Sequence, residues 1–92
     1  EGAAIGSQEG TAAAGNQGTA TAGNEGTATA GDEGTATAGY KGTATAGNYG
    51  TVVIKFYDGS RYRLQIGYIG ENGLEPNKPY KLNGKYEFIP AN

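Results

Sequence analysis

Eight threonines, Thr19, Thr21, Thr27, Thr29, Thr35, Thr37, Thr43 and Thr45, are the side chains of this 92-residue sequence whose type and spacing could do chemistry. They come in pairs, two residues apart within a pair and eight residues from one pair to the next. Period and propensity alone would allow Val, Ser or Lys at some of these places, so uniform threonine suggests a repeated surface. Covalent chemistry has no comparable support. There is no Cys and no His, which removes disulfides, thiolate and imidazole metal sites, and the usual nucleophile–base triads. Gly39-Tyr40-Lys41-Gly42-Thr43 is similar to a phosphate loop but lacks the Gly-Lys-Thr order that sets Lys on the phosphates. A calcium-binding β-roll needs Asp at successive turns, and only Asp32 is present. Nothing singles out a carboxylate pair for glycoside cleavage. The reading is of a protein that is not an enzyme, with no cofactor, no metal and no small-molecule substrate.

The threonines must be positioned by the repeat that carries them. From Gly15 to Ala46 the phrase Gly-x-x-Gly-Thr-Ala-Thr-Ala is written four times, with a fainter copy before it (Ser7 to Ala14) and another after it (Gly47 to Ile54). A fixed period of this kind marks an architecture whose units bury themselves by stacking on their neighbours. Thr-Ala-Thr-Ala has the period of two that a strand requires. Gly-x-x-Gly, with Asn16, Asn24, Asp32 and Asn48 at its second place, suits a tight corner in which glycine takes positive φ. Two octads then form one flattened coil of 16 residues. The alternative of three octads per coil would stack Glu9 on Glu33, whereas the 16-residue coil stacks Glu25 under Lys41 and aligns Asn16, Asp32 and Asn48. So thin a coil has room inside only for small residues. Ala20, Ala22, Ala28 and Ala30 are expected to face in, and both broad faces to carry threonine. Burial of alanine methyls alone does not offset the ordering of so much backbone, so hydrogen bonds between coils must supply the rest.

The phrase breaks where the core is expected to widen. Val52 and Ile54 replace alanine, Phe56 continues the alternation, and Tyr62, Leu64, Ile66 and Tyr68 form a second alternating run. Asp58-Gly59 signals a hairpin. A three-residue loop, Asp58 to Ser60, would pair Phe56 with Tyr62 and Ile54 with Leu64. A loop of Asn83 to Lys85 would likewise pair Leu82 with Tyr86 and Tyr80 with Phe88. Residues 70–79 read as a loop. The expected cap core is Val52, Ile54, Phe56, Tyr62, Leu64, Ile66, Tyr80 and Leu82. The fold class is thus all-β: a β-solenoid of 16-residue coils over residues 1–54, about three coils, closed by a small C-terminal β-hairpin cap over 55–92.

Net charge is -2, which argues against nucleic acid or an anionic membrane as partner. Arg61-Tyr62-Arg63 is better read as a face of the cap than as a base-stacking site. No run of apolar residues is long enough for a membrane-spanning helix, and no signal-peptide pattern is present. The chain begins inside the repeat pattern, with Gly2 to Gly6 like a decayed octad, and reads as a fragment.

Ala38 to Ala46 and the neighbouring octads resemble the repeats of bacterial ice nucleation proteins. Tyr57-Asp58-Gly59-Ser60-Arg61-Tyr62-Arg63, Gly70-Glu71-Asn72-Gly73-Leu74-Glu75 and Pro79-Tyr80 resemble that family's C-terminal cap in order and spacing. The resemblance implies a cell-surface, outer-membrane protein whose Thr-x-Thr ranks organise water into an ice-like layer. It makes water or an ice surface the partner, and the cap a device for stability and for assembly into a homo-oligomer through coils or cap. Carried over by position, the water-organising residues are the eight threonines named above. Three departures stand out: both octads of a coil are alike, only Tyr40 occupies the tyrosine place, and Lys41 and Lys55 alone represent the family's basic coils. The competing reading is a structural rod, a surface spacer or adhesin stalk, in which threonine only coats the solvent face.

Overall fold

Alternating Thr and Ala leave the chain a choice only of which face to bury, and alanine is the side chain that a narrow interior accepts. The computed structural model describes residues 3–6 and 10–91; Glu9 and the start of the faint first octad lie outside them. The described residues form ten strands and no helix. The octads give β1 (Ala3–Ile5), β2 (Thr11–Ala13), β3 (Thr19–Thr21), β4 (Thr27–Thr29), β5 (Thr35–Ala38) and β6 (Thr43–Thr45). The C-terminal part gives β7 (Thr51–Tyr57), β8 (Tyr62–Tyr68), β9 (Tyr80–Leu82) and β10 (Phe88–Pro90). They build two five-stranded sheets, ordered β1-β3-β5-β7-β8 and β10-β9-β6-β4-β2, neither closed into a barrel.

Odd-numbered octad strands go to one sheet and even-numbered ones to the other. Parallel partners are therefore two octads apart: Thr19 pairs with Thr35 and Thr35 with Thr51 in the first sheet, Thr11 with Thr27 and Thr27 with Thr43 in the second. Both sheets are mixed. β8 adds antiparallel to β7, β9 adds antiparallel to β6 through Ala44 and Tyr80, and β10 pairs antiparallel with β9. Strand β7 crosses the boundary expected at residue 54, so the repeat and the cap share a strand.

Between the sheets lie Ala20, Ala22, Ala28, Ala30, Ala36, Ala38, Ala44 and Ala46, all buried, continuing into Val52, Ile54, Ile69, Leu74 and Tyr80. Phe56, Leu82 and Phe88 are half-buried at the margin.

The corners are built differently from the sequence expectation. Positive φ falls on the third residue of each corner, which is never glycine: Gln17 (60°), Glu25 (59°), Glu33 (59°), Lys41 (61°) and Tyr49 (60°). The flanking glycines serve close approach instead. A Cβ on Gly26 would lie 2.7 Å from the Gly10 carbonyl oxygen, and one on Gly34 would lie 2.8 Å from that of Gly18. Side chains at the second place join successive corners. Asn16 Oδ1 accepts from the Asp32 amide at 3.0 Å, Asp32 Oδ1 from the Asn48 amide at 2.9 Å, and Asn24 Oδ1 from the Tyr40 amide at 3.2 Å. Glu25 and Lys41 occupy equivalent corner places but form no ion pair. The Lys41 ammonium lies 5.4 Å from the centroid of the Tyr40 ring, and the sole ion pair among the described residues is Asp58–Arg63.

Both hairpins are longer than expected. The β7–β8 loop is 58–61, four residues, and pairs Tyr57 with Tyr62, Phe56 with Arg63 and Ile54 with Gln65. Asp58 sets this length: its Oδ1 accepts from the Ser60 and Arg61 amides at 2.8 Å each, and its amide donates to the Arg61 carbonyl at 3.1 Å. A one-residue slip exchanges the two faces of a strand. Tyr62, Leu64 and Ile66, expected in the cap core, therefore stand on the outer face, 51%, 55% and 49% exposed. The β9–β10 loop spans 83–87 and pairs Leu82 with Phe88 and Tyr80 with Pro90, a two-residue shift that keeps Tyr80, Leu82 and Phe88 on one face.

The corner geometry yields opposite predictions for adjacent residues. Glu25→Gly relieves a left-handed non-glycine residue and should stabilise the protein by about 1 kcal/mol, whereas Gly26→Ala drives a methyl into the Gly10 carbonyl and should cost roughly 1–3 kcal/mol. Thermal melts of the two variants, shifted up and down respectively by several degrees, are the check.

Candidate functional site

Each threonine pair flanks one buried alanine, so a Thr-Ala-Thr strand presents two hydroxyls on the same outer face. On the first sheet the face carries Thr19 and Thr21, then Thr35 and Thr37, then Thr51 and Val53 in register. On the second it carries Thr11 and Ala13, then Thr27 and Thr29, then Thr43 and Thr45. All eight threonines singled out by sequence are outward. They form two ranks on opposite faces, four in each. Thr19 and Thr21 are exposed, while Thr27, Thr29, Thr35, Thr37, Thr43 and Thr45 are partly shielded. A ladder position is covered by the like residue of the strand on either side, and the first strands have less above them.

The two faces end differently at the cap. On the first sheet the rank continues into β8, where Tyr68 stands opposite Thr51, Ile66 opposite Val53, and Leu64 opposite Lys55. On the second sheet the rank meets β9, whose exposed Lys81 lies between the buried Tyr80 and the half-buried Leu82. One face thus runs from hydroxyls to apolar and aromatic side chains, and the other runs to a charge.

The inner side of the cap holds the ranks in place. Val52 and Ile54 are buried, and Phe56 stacks on Tyr86 with ring centroids 4.3 Å apart. Gln65 Nε2 donates to the Tyr86 carbonyl at 2.6 Å. Gly67 leaves room for Leu74 and Phe88: a Cβ there would stand 2.8 Å from the Phe88 ring. The Tyr80 hydroxyl accepts from the Glu75 amide at 2.7 Å and donates to the Gly73 carbonyl at 3.4 Å, and the Asn77 amide donates to the Ala46 carbonyl at 2.8 Å. Leu74 and Ile69 were missed as core residues by sequence reasoning. The signal for them was Gly67, an isolated glycine in a strand pattern, which marks close approach by another group.

An open cleft of about 590 Å³ lies under the far end of β7, lined by Phe56, Leu82, Tyr86 and Ile89, with Lys41 and Lys81 also bordering it. The phosphate-loop-like stretch at Gly39 is an ordinary corner, its Gly42 amide donating to the Gly39 carbonyl at 2.9 Å as in the other octads. Among the described residues no three His, Cys, Asp or Glu side chains gather as metal ligands.

No protein-family model, curated protein or solved structure matches the chain.

The strongest electrostatic feature is the Asp58 turn. The Arg63 guanidinium donates to Asp58 Oδ2, and with the Arg61 and Ser60 amides it holds the Asp58 carboxyl well below the usual carboxylate range. A carboxylate whose folded pKa is depressed adds stability that is present above its unfolded pKa, about 3.9, and is lost as pH falls through the folded value. The Asp58 carboxyl resonance should accordingly stay that of the ionised form from neutral pH down to about 3, and Arg63→Ala should move its titration back toward the ordinary value. Carboxyl-detected NMR across that range is the check.

Proposed function

We propose that the chain is a β-solenoid of 16-residue coils whose threonine ranks order water and bind ice, in the manner implied by its resemblance to bacterial ice nucleation proteins. The observation that carries the reading is the two-dimensional regularity of the ranks. Hydroxyls repeat about 6.7 Å along a strand and about 4.8 Å between strands. Two water hydrogen bonds of about 2.8 Å meeting at a tetrahedral angle separate their outer oxygens by about 4.6 Å. One water can therefore bridge threonines on neighbouring strands without bending its own bonds.

Threonine suits this task better than other strand formers. Its β-branch restricts χ1, so the hydroxyl is held in few orientations, and its methyl group fills the space between hydroxyls. Half-burial of the interior pairs restricts them further. Serine would leave the hydroxyl free to turn, and valine would remove it.

Rank length bounds the activity. Thr19, Thr35 and Thr51 span two strand spacings, about 10 Å, which orders only a small patch of water. An ice embryo must exceed a critical size that shrinks as supercooling deepens. The chain by itself is expected to adsorb to ice weakly and to leave mild supercooling undisturbed.

Droplet freezing of chains lengthened by identical octads before Gly15, each beside a version with lysine at the outward threonines, tests the proposal. The freezing temperature should rise with octad number and fall back in the lysine series, while circular dichroism shows both series folded. A freezing temperature indifferent to length and to threonine would leave the structural rod, in which threonine is only a solvent coat.

A further inference from the structure

Strand β8 carries an edge of unusual character with no strand paired to it. It has seven residues, Tyr62-Arg63-Leu64-Gln65-Ile66-Gly67-Tyr68, and it ends the first sheet. Exposed edges are ordinarily blunted by shortness, proline, bulges, lysine or inward charge. The other edges of the two sheets follow that practice. β1 and β2 have three residues each, and β10 has three and ends in Pro90. β8 is more than twice as long and has no proline, no lysine and no acidic residue, and its one charge, Arg63 on the inward side, is ion-paired to Asp58 at the hairpin end.

The direction of its backbone groups follows from the hairpin. The Asp58 amide donates to the Arg61 carbonyl, and the Ile69 amide donates to the Gly50 carbonyl. With the observed register, 61, 63, 65, 67 and 69 are therefore the positions that bond to β7. In an antiparallel pair the intervening residues turn their amides and carbonyls the other way. Tyr62, Leu64, Ile66 and Tyr68 thus aim N–H and C=O away from β7, where the Tyr68 carbonyl accepts from the Glu71 amide at 3.1 Å, the Tyr62 carbonyl accepts from Arg61 Nε at 3.4 Å and no strand takes the rest, and their side chains are the exposed apolar row of the outer face, each about half exposed.

We infer that β8 is a self-association edge, which joins a second copy of this chain by antiparallel β8–β8 pairing about a two-fold axis at Gln65. In that register Tyr62 meets the second copy's Tyr68 and Leu64 meets its Ile66, so every outward position has an apolar partner. Arg63 falls opposite Gly67, and no like charges oppose. The two five-stranded first sheets become one continuous sheet, with a threonine rank on each side of the axis. Edge pairing of one strand buries less than a standard interface, so the dimer is concentration-dependent. The inference stands on the edge and not on the ice reading.

Sedimentation of the whole chain over a concentration series provides the first measurement. A reversible monomer–dimer equilibrium is expected, lost in Leu64→Lys/Ile66→Lys at the same concentrations and kept in Thr35→Lys. The chain has no cysteine, so single-cysteine variants report register. At the axis Gln65 would face its own copy in a non-hydrogen-bonded pair, Cα atoms about 4.5 Å apart, inside the range of about 4.4–6.8 Å that a disulfide spans. Gln65→Cys should therefore cross-link under mild oxidation and Arg63→Cys should not. This readout holds even if the lysine variants fail to fold. A monomer at every concentration, a dimer indifferent to the lysines, or equal cross-linking of both cysteine variants would overturn the proposal. So would a chain that stays monomeric while its β8 face adsorbs to phosphatidylglycerol vesicles.

Discussion

Successive octad pairs stand so close at the corners that a methyl group does not fit between them. A Cβ at Gly34 would lie 2.8 Å from the Gly18 oxygen, and one at Gly42 would lie 2.9 Å from the Gly26 oxygen. This contact fixes the separation of neighbouring strands, lets the Asn16, Asp32 and Asn48 corners bond in series, and narrows the interior until alanine fills it. The outward threonines inherit the same spacing. The sequence repeats Gly-x-x-Gly because each corner must pass the carbonyl of the corner before it. Close stacking comes at a conformational cost: the corner still needs a left-handed residue, and it falls on Gln17, Glu25, Glu33, Lys41 and Tyr49, where a side chain can point to solvent.

The all-β class, the buried alanines and the outward threonines were legible in the sequence because a period of two and a period of eight leave few other solutions. The hairpin registers were not. Alternation in β8 marks which residues share a face but not which face is inside, and the loop length that decides it depends on the Asp58 side chain binding the Ser60 and Arg61 amides. Apolar character argues for an inward position, but Gln65 and Gly67 point inward instead, because the interior there is occupied by Leu74, Tyr86 and Phe88. Conformational freedom points to glycine for positive φ, whereas glycine is used here for its size.

Two threonine faces that look alike in sequence differ in setting. The first continues through Val53 into Ile66 and Tyr68, and the second stops at Lys81. In the proposed function the first face is the better candidate for an extended water-ordering surface, since pairing of β8 would place two such faces in one sheet. The cap contributes to both faces by covering the open edges of β7 and β6, which bare octads would expose.

Hydrogen exchange of individual backbone amides tests the central claim that stacking of octad pairs at the 16-residue register holds the repeats. The account predicts slow exchange for the Ala36 and Thr37 amides in β5, which has a paired strand on both sides, and faster exchange toward β1 and β2 at the sheet ends. Slow exchange should extend to Glu33, whose corner amide donates to the Asn48 carbonyl at 2.8 Å. Exchange of the octad amides at unprotected rates while β7 to β10 remain protected would contradict it, and would make the repeats a disordered leader to a folded cap.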